Sequence, residues 1–278
     1  MFRLLNIELH KLKYSRSSKI LAATYFIILS FIALIASIEF NFGDVHIRIA
    51  DQGIFNFPFI WHFNTYIAAI LKFFLAIVIV SMMSNEYTNR TLKQNLIDGL
   101  SKQEFVLSKF YTVLAFALIS TFFVFVLSVI LGYSFSDYTE FGIVTREMDF
   151  LFAYFLKLVG FFSFCLFLGV LVKRSAFALG FLFVWWIVEN IIYAFLNFKV
   201  FPESDTADKI MQFFPLESMS NLINRPFERL DFIKTAANQL KADIAIDYAV
   251  HWYEILIVSG WVFLFIYGTY ALLKKRDL

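Results

Sequence analysis

Six long apolar stretches divide this chain of 278 residues and constrain its fold more than any other feature. Each stretch is about 19 to 24 residues long, and a helix needs roughly 20 residues to cross a hydrocarbon core about 30 Å thick. A helix of a soluble protein keeps one face in water and does not need such an uninterrupted apolar run. The stretches therefore predict six membrane-spanning helices: Ile20–Ile38, Asn64–Ser84, Phe110–Tyr133, Phe150–Val172, Phe177–Asn197 and Trp252–Leu273.

Lysine and arginine are distributed unequally over the two sides of the predicted spans. The side with both termini carries 14 of these 24 residues, and the other side carries 8, most of them in one long loop. Short loops rich in Lys and Arg stay in the cytoplasm, whereas long loops count little. The distribution therefore predicts a multi-pass membrane protein with both termini in the cytoplasm. The net charge of +2 gives no reason to expect a nucleic-acid partner.

The chain is predicted to form one membrane domain over residues 1–278, because no soluble domain of useful size remains outside the spans. Residues 1–19 precede the first span, and their basic residues lie off an apolar helical stripe. This pattern predicts an interfacial helix that contacts membrane lipids, either as a plain anchor or as a docking helix for another protein. The residues of the stripe are Phe2, Leu5, Leu9 and Leu12.

The longest segment between spans, residues 198–251, is predicted to form an outer cap before the last span. From Pro226 onward its apolar residues recur on one helical stripe, which predicts a surface helix of about 20 residues. In the first outer loop, aromatic residues alternate from Phe55 to Phe63. We expect these rings to anchor the loop at the membrane interface.

Three ionisable residues lie inside predicted spans: Lys72, Lys157 and Glu189. Each is roughly 10 to 12 Å from the outer boundary at 1.5 Å per residue. Charges at such depth usually face protein or water. One interpretation is that Glu189 pairs with one of the two lysines inside the bundle. The alternative for the lysines is that each extends to the outer headgroups independently.

Motifs of catalysis and of metal binding are missing from the sequence. It has no Gly-Lys pair for a phosphate-binding loop, and the common hydrolase and zinc patterns do not occur. Its four histidines are spread over both sides of the membrane, without ligand spacing. We therefore predict no catalytic site, no metal site and no enzymatic activity, so that energy for any work must come from a partner or an ion gradient.

The connection between the second and third spans, residues 85–109, is predicted to form a cytoplasmic helical hairpin. Its first helix would run from about Asn85 to Ile97 and end at Gly99. Its second helix would begin at Ser101, with Glu104 three residues later in a capping box. Such a hairpin could lack any special role, or it could be the element on which a soluble motor domain acts.

The order of residues in this hairpin resembles the cytoplasmic loop of ABC-2 type transporter permeases. The basic helix before the first span, the six-span layout and the large outer segment before the last span resemble that family as well. The resemblance covers nearly the whole chain. The residues that carry it in the loop are Asn85, Glu86, Thr91, Leu96, Gly99, Leu100, Ser101, Lys102, Phe105, Ser108 and Lys109.

The resemblance implies a permease subunit of an ATP-driven exporter in a bacterial cytoplasmic (inner) membrane. It would pair with a second permease copy or a paralogue, and separate ATP-binding cassette subunits would bind ATP and Mg. This chain itself would hold no cofactor. By the pattern of the family, the hairpin is the ATPase-coupling element, and its coupling residues are Glu86, Arg90, Thr91, Gly99, Ser101 and Glu104.

One departure from the family and three alternatives stand beside this interpretation. The family often has two short apolar re-entrant helices before the last span, whereas residues 227–247 are too charged to enter lipid, so that we expect a small outer cap there. The first alternative is an ion-coupled secondary transporter that uses the intramembrane charges, although no internal repeat or Gly/Pro-broken central span supports it. The others are a membrane-embedded hydrolase and a non-transporting scaffold of an envelope complex.

Overall fold

The computed structural model describes residues 2–42, 45–202, 206–230, 233 and 247–276. Most of these residues are helical, which confirms the predicted all-α membrane fold. In chain order the helices are α1 Phe2–Tyr14, α2 Arg16–Ser37, α3 Phe59–Ile70, α4 Phe73–Thr88, α5 Thr91–Ile97, α6 Lys102–Phe135, α7 Phe141–Val144, α8 Asp149–Val172, α9 Ser175–Phe195, α10 Thr206–Met211, α11 Pro215–Asn221 and α12 Trp252–Lys275.

Five long apolar units of the described chain could each cross a membrane: α2, α6, α7 with α8, α9 with its π-helical extension Leu196–Val200, and α12. The bent pair α3 and α4 makes a sixth candidate span. All six predicted spans are therefore present as helices. The third begins two turns before its predicted start at Phe110, because α6 is one continuous helix from Lys102.

The second span is broken, which the sequence did not indicate. α3 and α4 meet at an angle of 45° across Leu71 and Lys72. Neither residue is the proline or glycine that usually marks a sharp bend. At the break, Lys72 Nζ lies 4.4 Å from the centre of the Phe161 ring of α8. The predicted span Asn64–Ser84 is therefore two helices, and the prediction of one uninterrupted helix there was wrong.

α8 is the central helix of the bundle and is buried along most of its length. The helices α3, α4, α6, α9 and α12 all pack against it. A ring of three buried hydroxyl groups also joins it to α2 and α6: Tyr25 Oη is 2.6 Å from Tyr154 Oη and 2.5 Å from Ser120 Oγ. These bonds satisfy hydroxyls that would otherwise be unpaired in the apolar interior.

The N-terminal helix and the C-terminal end of α12 lie at the same end of the bundle, which we call the terminal end. There Arg276 Nη2 donates a hydrogen bond of 3.0 Å to the carbonyl of Leu171, at the end of α8. Lys102 Nζ donates one of 3.1 Å to the carbonyl of Arg276. The other end, which we call the opposite end, carries α7, α10 and the connection after α11.

Three of the five rings in the aromatic run of the first outer loop pack inside the protein, so the predicted interfacial anchor was wrong for these three. Phe55, Phe57 and Trp61 are almost fully buried. Phe57 approaches α6 so closely that a Cβ on Gly132 would lie 2.3 Å from the ring. Trp61 Nε1 donates a hydrogen bond of 2.7 Å to the carbonyl of Val144. The loop thereby closes the opposite end of the bundle.

Two short strands precede this run. Glu39–Phe42 and Val45–Arg48 pair antiparallel, with Glu39 opposite Arg48. The turn Ile49–Gln52 follows them as a 3-10 helix. This small hairpin is an addition to the helical bundle and does not alter its class.

The predicted outer cap begins with short elements. α10 and α11 lie between α9 and a 3-10 turn, Phe227–Arg229. Leu230 has an extended backbone, so the surface helix predicted from Pro226 does not run through this point. The rest of that predicted helix falls mostly outside the described residues.

Candidate coupling site

Four charged side chains meet at the terminal end, and we call them the charge cluster: Glu8, Lys11, Glu86 and Lys109. The first two come from α1, Glu86 comes from the last turn of α4, and Lys109 lies near the start of α6. α1 packs along α6 at this point. The cluster therefore joins three elements that are far apart in the sequence.

Lys109 lies between the two carboxylates. Its Nζ atom is 2.6 Å from Glu8 Oε2 and 2.5 Å from Glu86 Oε1. Lys11 Nζ is 2.8 Å from Glu86 Oε1 and 3.4 Å from Glu8 Oε1. With two carboxylates and two ammonium groups, the cluster carries no net formal charge. This balance matters because a buried charge without a partner costs several kcal/mol.

Three members of the cluster are almost fully buried: Lys109 is 1% exposed, Glu8 2% and Glu86 3%. Lys11 is the exception, with 38% of its side chain exposed. Burial lowers the pKa of Lys11, but its hydrogen bond to Glu86 and the charges of Glu8 and Glu86 outweigh burial and raise that pKa above 10.5. The Lys11 ammonium group is therefore fully protonated at neutral pH.

Glu86 also holds the short helix α5. Thr91 Oγ1 donates a hydrogen bond of 2.5 Å to Glu86 Oε2, and Asn95 Nδ2 lies 3.5 Å from the same oxygen atom. The other oxygen atom of Glu86 accepts from Lys11 and Lys109. One carboxylate thus connects α5 to both α1 and α6.

The predicted first helix of the hairpin, Asn85–Ile97, consists of two elements. α4 continues to Thr88, and Arg90, with a φ of 56°, turns the chain into α5. A left-handed backbone is uncommon for a residue other than glycine, so this turn could not be recognised from residue types. α5 then packs beside the end of α4.

Gly99 ends α5 as predicted, in the left-handed conformation with a φ of 95°. The Leu100 N–H donates to the carbonyl of Asn95 over 3.0 Å, and the Gly99 N–H donates to the carbonyl of Leu96 over 3.2 Å. These two bonds form a Schellman motif, which satisfies carbonyl groups at the end of the helix. A side chain at position 99 would be strained there because of the positive φ.

The capping box is also confirmed. Ser101 Oγ accepts a hydrogen bond of 3.1 Å from the Glu104 N–H, and Glu104 Oε2 accepts one of 3.0 Å from the Ser101 N–H. The helix that it begins is not a second short helix of a hairpin, however. It is α6 itself, which continues through the third span without a break.

α5 presents an exposed surface away from the cluster, which we call the hairpin surface. Ile97 is 75% exposed there. Its neighbours on the surface are charged or polar. An apolar centre with a polar rim is typical of protein interfaces. The residues of the hairpin surface are Arg90, Lys93, Gln94, Ile97 and Asp98.

The six residues that the resemblance assigned to coupling occupy three kinds of position. Glu86 and Thr91 bind each other inside the protein. Arg90 is exposed on the hairpin surface. The other three end α5 and cap α6, at the turn between the two helices. Because Glu86 is buried, it positions the hairpin and has little surface to offer a partner.

Sequence reasoning did not identify Glu8, Lys109 or Asn95 as members of a site. A signal for Glu8 was present, because on a helical wheel it falls at the edge of the apolar stripe, about 40° from Leu12. Lys109 was placed in a loop because the third span was predicted to begin one residue later. Its position inside a helix gives it a fixed direction toward α1 and α4.

Only part of the apolar stripe of α1 packs against the rest of the protein. Leu12 is buried in the core, Leu5 is partly buried and Leu9 is exposed. The side chain of Phe2 lies outside the described residues. α1 ends at Tyr14, and Ser15 caps α2 by accepting a hydrogen bond of 3.3 Å from the Ser18 N–H.

The three intramembrane charges do not form the expected ion pair among the described residues. Glu189 and Lys157 instead bind backbone groups of α11. Lys72 rests on the Phe161 ring at the break of the second span. The pairing of Glu189 with a lysine assumed that the partner of a buried charge is another charge, whereas helix ends also carry N–H and C=O groups without an intrahelical partner.

A second polar group ties the connection after α11 to the opposite end. Arg229 makes two hydrogen bonds of 2.8 Å to the Glu147 carboxylate. His62 Nε2 lies 2.8 Å from the carbonyl of Asn224, and its ring stacks on Phe150 at 4.2 Å. These contacts fix the chain beside α3 and α8, far from the charge cluster.

The bundle of long apolar helices defines a multi-pass membrane protein. Comparison with family models identifies which one. The model of the ABC-2 family transporter proteins matches residues 8–278, and the chain belongs to this family. It is therefore a permease of an ABC transporter, the membrane component that associates with an ATP-binding cassette subunit. A comparison with curated proteins finds no match.

Proposed function

We propose that this chain is the permease subunit of an ATP-driven exporter in a bacterial cytoplasmic membrane, with both termini and the hairpin in the cytoplasm. The observation that carries the proposal is the double attachment of Glu86, which binds α5 with one oxygen atom and two lysines of the charge cluster with the other. Family membership and the distribution of Lys and Arg support it.

In this proposal ATP and Mg bind to a partner subunit, which docks on the hairpin surface. Movement of the partner displaces α5. Because Thr91 is bonded to Glu86, the displacement reaches the last turn of α4 directly. Through Lys109 it reaches α6, and through Lys11 it reaches α1. A second permease copy or a paralogue completes the transporter, and an unidentified substrate passes outward.

The alternatives keep less support. An ion-coupled carrier would use the broken second span, because such transporters bind their ions at discontinuous helices. Lys72 lies at this break. Glu189 and Lys157, however, are engaged with α11 and leave few free groups for a coupling ion. A scaffold role would also account for the exposed Ile97, but it gives no reason for the attachment of α5 to three other helices through Glu86. Family membership also favours a permease over both.

Co-purification with an ATP-binding cassette subunit from the same genome tests the proposal. Ile97→Asp places a charge at the apolar centre of the hairpin surface and is expected to abolish co-purification. The variant should fold, because Ile97 contributes little buried area. Loss of binding would support docking of the ATPase at this surface.

The matched control is Phe141→Asp, which makes the same change at an exposed apolar residue of the opposite end, 79% exposed. This variant is expected to bind the ATP-binding subunit as the unsubstituted chain does. Equal binding by both variants would show that the partner does not use the hairpin surface. Loss of binding in both would point to a general defect.

A further inference from the structure

Lys72 is the intramembrane charge that the described part of the protein leaves without a polar partner. Glu189 and Lys157 both bind backbone groups of α11. Lys72 makes no hydrogen bond and no ion pair with the described residues, and its Nζ atom lies 4.4 Å from the centre of the Phe161 ring. An ammonium group has three N–H donors, and the face of one ring cannot satisfy all of them. The charge of Lys72 is therefore only partly compensated.

The contact with Phe161 places this ammonium group near the middle of the bundle. Phe161 lies twelve residues after the start of α8 at Asp149 and eleven before its end at Val172. At 1.5 Å per residue it is roughly 17 Å from either end of the helix. A lysine that extends to the headgroups directs its charge toward the nearer membrane surface. Lys72 instead directs its charge toward the centre of the central helix.

The protein surface around Lys72 is open on one side. Lys72 is itself partly exposed, and Ile70 and Phe73, which flank the break of the second span, are each 52% exposed. The Phe161 ring forms the buried floor, and the Phe73 ring packs against its edge with 5.3 Å between the ring centres. The ammonium group is thus a single positive charge on an apolar, largely aromatic surface.

The chain has no free carboxylate to pair with Lys72 at this depth. The six predicted spans contain two acidic residues, Glu189 and Glu254. Glu189 accepts hydrogen bonds from two N–H groups of α11 and from Trp185. Glu254 lies at the opposite end, where it caps the start of α12. An identical second copy would bring the same two carboxylates, so an anion that pairs with Lys72 has to come from a ligand.

We propose that Lys72 binds the anionic group of an amphiphilic ligand, a carboxylate or a phosphate on an apolar body, at the break of the second span. The ammonium group donates charge-assisted hydrogen bonds to the anion, and Ile70 and Phe73 contact the apolar body. Ionisable residues within spans commonly mark the route of a substrate. The identification of this ligand as the exported substrate rests on the proposed function, whereas its binding requires this chain alone.

Thermal unfolding separates a ligand site from a structural role. An ammonium group in apolar surroundings costs more free energy than one contact with a ring returns. Lys72→Met should therefore unfold at the same temperature as the unsubstituted protein or at a higher one. Lys157→Met is the matched control and should unfold at a lower temperature, because it leaves the carbonyls of Ser220 and Ile223 unpaired. A Lys72→Met protein less stable than Lys157→Met would mean that Lys72 holds the fold.

Binding of radiolabelled probes to the purified chain in detergent tests the site directly. Palmitate carries a carboxylate on an apolar chain, and hexadecanol has a chain of the same length without the charge. Lys72→Met should weaken palmitate binding roughly tenfold, which corresponds to about 1.4 kcal/mol, and leave hexadecanol binding unchanged. Lys72→Arg keeps a cation and should retain most of the palmitate binding. Lys199→Met removes an exposed lysine after α9 and should change neither.

Two results would overturn the proposal: unchanged palmitate binding in Lys72→Met, or an equal loss of hexadecanol binding. Phosphatidylglycerol, added as a competitor, identifies the source of the anion. Displacement of palmitate would assign the site to a bilayer lipid, and no displacement would assign it to a single-chain amphiphile. Both results keep Lys72 as the residue that binds the anionic group.

Photo-crosslinking of the unsubstituted protein decides the question if Lys72→Met does not accumulate. The probe is palmitate with a diazirine group beside its carboxylate. Crosslinks at the break of the second span or on Phe161 would support the site, and crosslinks confined to other helices would overturn it. None of these measurements uses the ATPase partner. Failure of the binding site would therefore leave the proposed function standing, and loss of the proposed function would leave the binding result intact.

Discussion

Lys109 is the residue on which the charge cluster depends most. The charge cluster has two ammonium groups. That of Lys109 is enclosed between both carboxylates, whereas that of Lys11 reaches solvent. Without Lys109, Glu8 and Glu86 would face each other in the interior with only a partly exposed lysine between them. The terminal end would then lose the connection between α1, α4 and α6.

We therefore predict that Lys109→Met lowers the free energy of unfolding by roughly 3–5 kcal/mol, the cost of removing one partner from a buried ion pair. Thermal unfolding of the purified protein in detergent measures the change. Lys93→Met removes an exposed lysine of α5 and should have little effect. A Lys109→Met protein as stable as the Lys93→Met control would mean that the cluster contributes nothing to stability.

At the scale of elements, the first outer loop approaches α6 very closely at Gly132. Among the described glycines, Gly132 is the one where an added Cβ would lie nearest to another atom. The Phe57 ring occupies the space that a side chain on Gly132 would need, and it is enclosed between Trp61 and Tyr133. The ring cannot move aside without displacing both neighbours. This contact sets the distance between the loop and the helix.

Gly132→Ala is accordingly expected to destabilise the protein by about 1–3 kcal/mol, the usual cost of overpacking a core. Gly180→Ala is the matched control, because a methyl group on Gly180 of α9 would have no neighbouring atom within 4 Å. That control should be neutral or stabilise by roughly 0.5–1 kcal/mol, as alanine favours helix over glycine. Thermal unfolding of both variants compares them, and a stabilising Gly132→Ala would contradict the close packing.

The spans could be predicted from the sequence because length and apolarity alone decide whether a helix crosses a bilayer. The break between α3 and α4 could not, since neither Leu71 nor Lys72 is the proline or glycine that usually marks a bend. The end of α5 could be predicted, because Gly99 adopts a conformation that few other residues tolerate.

The candidate site was predicted only in part. Glu86 and Thr91 came from the resemblance, but their partners Glu8 and Lys109 depend on the packing of α1 along α6, over separations of up to 101 residues. Sequence spacing contains no information on such contacts. Two partners of Glu189 were missed for another reason, because they are backbone amides of α11, and every residue except proline has one.

At the scale of the whole molecule, two groups of buried charged side chains lie in opposite halves of one bundle. The charge cluster ties α5 to the bundle at the terminal end, and in the other half Glu189 and Lys157 bind backbone groups of α11. α8 passes between them and packs against α4, α6, α9, α11 and α12.

The sidedness of the hairpin tests the proposed coupling most directly, because an ATP-binding subunit can act only on a cytoplasmic surface. Ile97→Cys and Phe141→Cys are made separately in a Cys165→Ser background, since Cys165 is the single native cysteine, and treated with an impermeant maleimide. In intact cells we expect Phe141→Cys to be labelled and Ile97→Cys to be protected until the membrane is permeabilised. Labelling of Ile97→Cys from outside, with protection of Phe141→Cys, would contradict the orientation and with it the coupling to ATP hydrolysis.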